Sequence, residues 1–179
     1  QRTDTHFAFI DRLISYCLDN GLIPIVDMHG YKRINKDPYK YKQEFLHAWE
    51  VVSSYYQNAD ERVIFEVLNE PAEELKWDIW NQFLNEAIAI IRKTNPRRWI
   101  AAGTAHCNTI ENLENLVIPE HDDRIFVTVH NYTPMGFTHQ GAEWCDPPFP
   151  RDISWVGSEQ EKRVIINEYD TAAKWAAKH

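Results

Sequence analysis

Val63-Ile64-Phe65-Glu66-Val67-Leu68-Asn69-Glu70-Pro71 decides the fold. Its first six positions are mostly β-branched, aliphatic or aromatic, which suits a strand buried on both faces. Its last three turn polar and end on a proline, which a strand interior does not accept. The stretch reads as a buried strand that delivers an amide and a carboxyl group at its C-terminal end.

The same unit recurs on both sides. Upstream, Leu22-Ile23-Pro24-Ile25-Val26-Asp27-Met28-His29-Gly30 is a second short apolar run that turns polar, read as a buried strand. Before it, Phe7, Ile10, Leu13, Ile14, Cys17 and Leu18 recur at helical spacing and Asn20-Gly21 supplies a left-handed stop. Between these strands Phe45, Ala48, Trp49, Val52 and Tyr56 mark another helix. Downstream, residues 77–91 place Ile79, Trp80, Phe83, Leu84, Ala87, Ile88 and Ile91 on one helical face, ahead of a strand over 99–104. A loop-rich stretch over 108–119 leads to a fourth strand over 124–132, and a long aromatic, proline-rich loop comes next. Ser158 and Glu161 form a capping box that opens a last helix carrying Ile165, Tyr169, Ala172, Ala173 and Ala176.

Strands alternating with helices predict an α/β fold with a parallel sheet. No glycine-rich phosphate turn comes after any strand, and each of the four polar strand ends offers groups that barrel enzymes place at the mouth of the fold. The expectation is a (β/α)8 TIM-barrel type, partial, with about four of the eight strands and fewer than the ~250 residues typical of closed barrels. Nothing reads as a linker, so residues 1–179 are expected to be one portion of a single domain.

Composition narrows the partners. The 179 residues carry a net charge of -8, with Lys and Arg dispersed rather than gathered into the stripe that binds a phosphate backbone, so nucleic acid is not expected. No apolar run approaches the ~18 residues that span a bilayer, so no membrane is expected either. Cys17, Cys107 and Cys145 make no CxxC pattern and read as packed thiols. The first residues lack a basic-then-apolar signal segment.

Glu70, at the exit of an apolar strand beside Asn69, is the candidate general acid, because a carboxyl group partly desolvated by aromatic neighbours can protonate a leaving oxygen near neutral pH. The competing reading is a helix N-terminal turn, which Pro71 and Glu73-Glu74 would also suit. His130-Asn131-Tyr132 and His29 stand at other strand ends facing the same rim. A metal site is the rival interpretation, but no His-x-His or His-x-x-x-His pair exists, and neither metal nor cofactor is expected. In the loop beyond the fourth strand, Phe137, His139, Gln140, Glu143 and Trp144, with Trp155 further on, combine rings and polar groups as sugar binding requires, although each ring alone could equally pack the loop. Tyr39, Tyr41, Tyr55 and Tyr56 read as ordinary surface or helix-face residues.

VIFEVLNEP at 63–71, VTVHNY at 127–132 and FTHQGAEW at 137–144 together resemble the cellulase family, glycoside hydrolase family 5, across essentially the whole chain. The resemblance implies barrel strands three to six and retaining hydrolysis of β-1,4-glucans such as cellulose, or of related glucans and mannans, without a metal. It implies Glu70 as acid/base and Asn69 on the sugar 2-hydroxyl. It gives His130 and Tyr132 to holding the nucleophile and the sugar, and His29, His139 and Trp144 to contacting substrate. It also implies a secreted protein. One departure is His29-Gly30, where the family commonly has His-His. The family's nucleophilic Glu falls beyond residue 179, and a retaining mechanism needs two carboxyl groups about 5 Å apart. Glu168 could supply the second only if residues 164–169 formed a strand, whereas the capping box and alanine-rich spacing favour a helix. Two readings stay beside the hydrolase: a non-catalytic glycan-binding or assembly fragment, and a short hydrolase using Glu168. Open sheet edges are expected to pair with a second copy or a complementary fragment.

Overall fold

The computed structural model describes residues 3–179, with side chains from Phe7 onward. Helix α1 (Thr3–Asp19) leads through Gly21, at φ 72°, into strand β1 (Ile25–Asp27). That left-handed stop is where the Asn-Gly pair was expected. A short helix α2 (Lys32–Lys36) and the long α3 (Pro38–Tyr55) precede β2 (Ile64–Glu66). Asp37 caps α3 by accepting from the Lys40 amide, and Pro38 occupies its first turn. Helix α4 (Trp77–Thr94) leads to β3 (Ile100–Gly103), and a 3₁₀ turn (Ile110–Asn115) to β4 (Ile125–Thr128). The C-terminal helix (Glu159–Ala176) opens on the expected capping box: Ser158 accepts from the Glu161 amide while the Glu161 carboxylate accepts from the Ser158 amide.

All three ladders are parallel and the strand order is β1-β2-β3-β4. Consecutive order without a reversal gives no switch point of the doubly wound kind. With right-handed crossovers it puts every connecting helix on one face and leaves the other for a barrel interior. The register pairs Asp27 with Glu66 and Ala101 with Phe126.

The core lies between the sheet and helices α3 and α4. Phe45, Trp49, Phe65, Trp80, Phe83, Leu84 and Ile88 are buried in one cluster. Both large indoles are satisfied as buried N–H donors must be: Trp49 Nε1 donates to the Val67 carbonyl at 3.0 Å and Trp80 Nε1 to the Gly103 carbonyl at 2.8 Å. Each thereby ties a helix to the far end of a strand. Arg98 is 5% exposed at the opposite end and donates to the carbonyls of Tyr56, Ala59, Asp60 and Val63 and to Asn95 Oδ1. A smaller cluster of Ile110, Leu113 and Trp175 seats the C-terminal helix beside β4.

The sequence expectations need four corrections. The strands are shorter than the apolar runs that announced them, so Asn69-Glu70 and His130-Asn131-Tyr132 lie just past the ladders rather than on them. β1 is not a buried strand: Ile25 is exposed, since among the described residues β1 has a partner strand on one side only. Tyr56, read both as a marker of the helix over 45–56 and as an ordinary surface or helix-face residue, is core, packing edge-on against Phe7 and Phe65. Cys107 is exposed rather than packed. No described helix is long and apolar enough to cross a membrane.

Candidate active site

The strand ends converge on a cavity of about 630 Å³ lined by Glu70, His106, Cys107, His130, Tyr132 and Glu168, among others. Two side chains fix Glu70. Its main chain is held by Asn35, whose amide donates to the Glu70 carbonyl and whose Oδ1 accepts from the Ala72 amide, both at 3.1 Å. Its side chain meets His130, with Nδ1 2.8 Å from Glu70 Oε1. The acid candidate therefore sits in a backbone clamp and carries one imidazole on one carboxylate oxygen.

The turn between β3 and the 3₁₀ segment places His130. After Gly103-Thr104 the chain makes a left-handed turn in which His106, Cys107 and Asn108 have φ of 56°, 59° and 58°. Three consecutive non-glycine residues in that region are strained and need outside support. It comes from the segment after β2, whose Pro71 carbonyl accepts the Cys107 amide at 2.9 Å, and from Thr104, whose carbonyl accepts the Asn108 amide at 3.2 Å. The Asn108 carbonyl then accepts the His130 amide at 2.8 Å.

Below the rim lies a pair of carboxyl groups that no sequence pattern singles out. Asp27 and Glu66 are register partners on β1 and β2, and Asp27 Oδ2 is 2.6 Å from His29 Nδ1. Burial pushes the Asp27 carboxyl above its usual range, against the lowering pull of His29. Burial and then the neighbouring Asp27 charge push Glu66 up as well. Alternation along β2 would place Glu66 on the face shared with Glu70, but an acidic residue inside an apolar run gives no sign of its cross-strand partner. Although Cys107 is exposed as a residue, its thiol on the cavity wall is likewise raised, by partial desolvation there and then by the Glu70 and Glu73 charges.

Of the sequence-predicted residues, the structure gathers Glu70, His130 and Tyr132 on the cavity. Asn69 lies beside them, its main-chain N–H donating to the Met28 carbonyl at 3.4 Å. Tyr132 packs edge-on against His139 at 4.8 Å, and His139 reaches Trp144 at 6.5 Å, so a ring chain leads out from the cavity. Trp144 is 81% exposed at its end. His29 stands apart on the β1 side with its side chain 76% exposed. Among the described residues no three His, Cys, Asp or Glu side chains gather as a metal-binding set.

Glu168 lies on the C-terminal helix, which overturns the strand reading of residues 164–169. It nevertheless reaches the cavity wall, where Asn131 Nδ2 and Thr133 Oγ1 donate to its two oxygens at 2.8 and 2.9 Å. Residues missed by sequence reasoning are thus Asn35, Asp27, Glu66 and Asn108. Asp27 and Glu66 each left a trace, as a charge within an apolar run, but neither trace points to the other, and Asn35 and Asn108 left none.

Comparison with known proteins bears on the fold and the family. The family model of Cellulase (glycosyl hydrolase family 5) matches residues 1–179. Cellodextrinase A of Ruminococcus flavefaciens is 30% identical over 95% of this chain and 54% of its own length. The crystal structure of endoglucanase Cel5A from Thermotoga maritima superposes with a TM-score of 0.90 at 34% identity, covering 98% of this chain and 57% of that one. Clostridial cellulose synthase subunit Z from Clostridioides difficile gives a TM-score of 0.93 at 36% identity, covering 98% and 58%. The chain thus spans little more than half the length of these relatives.

Proposed function

The chain belongs to glycosyl hydrolase family 5, the cellulase family, and from that premise we propose that residues 1–179 form the acid/base side of a single-barrel retaining glycosidase acting on β-1,4-glucans. The observation that supports this reading most directly is the Glu70–His130 pair, 2.8 Å apart on the wall of an open cavity. A carboxyl group so placed can give its proton to the glycosidic oxygen as the C–O bond breaks. It can then take a proton from the water that releases the sugar. The bond to the anomeric carbon is made meanwhile by a second carboxylate. In this reading that group stands on a barrel strand outside these residues, because Glu168 is helical and both of its oxygens are engaged.

Asn69 is assigned to a sugar hydroxyl beside the cleavage point, Tyr132 to the same sugar, and His139 and Trp144 to flanking sugars along the ring chain. His29 contributes from the β1 side. The relatives bear on the substrate class: a Thermotoga maritima Cel5A structure holds cellobiose and another mannotriose. A polymeric substrate does not cross a membrane, so the reading places the reaction outside the cell. No cofactor enters it. The unpartnered edges of β1 and β4 are assigned to strand pairing with a second copy or a complementary segment, which sedimentation of the isolated 179 residues would detect.

The test is reducing-sugar release from carboxymethylcellulose, mixed-linkage β-glucan and mannan by the protein that contains this chain, with Glu70→Gln and Glu168→Gln as variants. Loss in the first and retention in the second is expected. Retention of full activity in Glu70→Gln would remove the assignment.

A further inference from the structure

We infer that Asn108 is a positioning residue for the acid/base Glu70, because its side-chain amide fixes the proton of His130 on Nδ1, the nitrogen that faces Glu70. The inference rests on the assignment of Glu70 as acid/base. Asn108 is fully buried in the left-handed turn after β3. Its Nδ2 donates to the Asn69 carbonyl, on the residue immediately before Glu70, and lies 3.4 Å from His130 Nε2.

The chemistry of these partners sets each proton. A backbone carbonyl accepts only, so the Asn108 side-chain atom facing it must be the NH₂. The same NH₂ has a second hydrogen and meets His130 Nε2, which must then offer its lone pair. In a neutral imidazole that leaves the proton on Nδ1, where it is donated to Glu70 Oε1 at 2.8 Å. Asn108 thus reads the Asn69 carbonyl on one side and dictates the His130 tautomer on the other, and the tautomer decides whether Glu70 is held by a donor or faced by a lone pair.

The turn is built to hold Asn108 there. Asparagine tolerates left-handed backbone better than most residues. Its Cγ, Oδ1 and Nδ2 lie in the space a Cβ on Gly103 would occupy, so only glycine at 103 leaves room for this side chain. Asn108 Oδ1 is buried without a hydrogen-bond partner. That is a cost a merely space-filling residue would not carry, whereas the NH₂ end has both of its acceptors. The site of action also joins three strands: Gly103 ends β3, Asn69 lies just after β2 and His130 just after β4.

The test is the tautomer itself, read from the ¹⁵N resonances of histidine-labelled protein at neutral pH, with His130 assigned by comparison with His130→Gln. The expected wild-type pattern is a protonated Nδ1 and an unprotonated Nε2. Asn108→Asp, nearly isosteric, replaces the donor with an acceptor and should bring a proton onto Nε2. Gly103→Ala keeps the amide but displaces it, and should abolish the preference for Nδ1. Asn108→Asp should also lower turnover of unactivated β-glucan by about tenfold or more, within the range of a general acid's contribution. A proton on Nε2 in the wild type would overturn the inference, as would a folded Asn108→Asp with an unchanged tautomer. If Asn108→Asp does not fold, the wild-type spectrum and Gly103→Ala decide. Full activity in Glu70→Gln would defeat the glycosidase reading while leaving the tautomer result standing.

Discussion

Asp27 and Glu66 face each other as register partners across the parallel β1–β2 ladder, and burial raises both carboxyl groups above their ordinary range. Each loses solvation on folding, and the charge of Asp27 adds to the rise at Glu66. A carboxyl group raised in the folded state binds protons more tightly there than in the unfolded chain. Its contribution to stability is therefore complete below the ordinary carboxylate range and is lost as pH rises through the raised value.

Glu66→Gln is accordingly expected to raise the melting temperature at about pH 7, because a neutral amide avoids the desolvation that disfavours the Glu66 charge. The gain should vanish at about pH 4, where Glu66 is protonated and differs little from Gln. Calorimetry across that interval checks it. A variant less stable than wild type at neutral pH would mean that Glu66 has a stabilising partner in solution.

Glu70→Gln keeps the shape of the side chain and its Asn35 clamp but removes the transferable proton. Turnover of unactivated β-glucans should fall by about 10²–10⁴-fold, while aryl glycosides with good leaving groups lose far less in the glycosylation step. Pre-steady-state kinetics on both substrate types separates the two cases. Equal losses would show that the residue acts in some way other than by protonating the leaving oxygen.

Arg98→Ala should be the most destabilising of these changes. Four backbone carbonyls and Asn95 Oδ1 lose their donor in a site that is 5% exposed at Arg98. With several buried acceptors orphaned, a loss of about 3–5 kcal/mol is expected, and denaturant titration would measure it. Arg98→Lys should recover only part, because an ammonium cannot reach five acceptors spread over a guanidinium fork.

Trp144→Ala should leave the melting temperature within experimental scatter, since the ring is 81% exposed. Calorimetric titration with cello-oligosaccharides should show affinity falling about tenfold, the loss of one stacking platform at the end of the Tyr132–His139–Trp144 ring chain. Unchanged affinity for long and short oligosaccharides alike would take Trp144 out of the binding surface.

Local pattern determined a great deal by itself. Helical spacing located α1, α3, α4 and the C-terminal helix, the Ser158–Glu161 pair located the last N-terminus, and apolar runs ending in polar residues located all four strands and the rim that carries Glu70, His130 and Tyr132. Those signals are legible because backbone hydrogen bonding and the burial of one face act over a few residues. Tertiary structure alone decided the rest. It shortened the strands, buried Tyr56, exposed Cys107 and brought the helical Glu168 to the cavity. It paired Asp27 with Glu66 across a ladder, and it turned Asn108, which carries no motif, into a bridge between Asn69 and His130. These partners lie tens of residues apart, and no periodicity encodes them. They meet only because consecutive parallel strands deliver their C-terminal ends to one rim, where the acceptor left by one loop selects the donor offered by another.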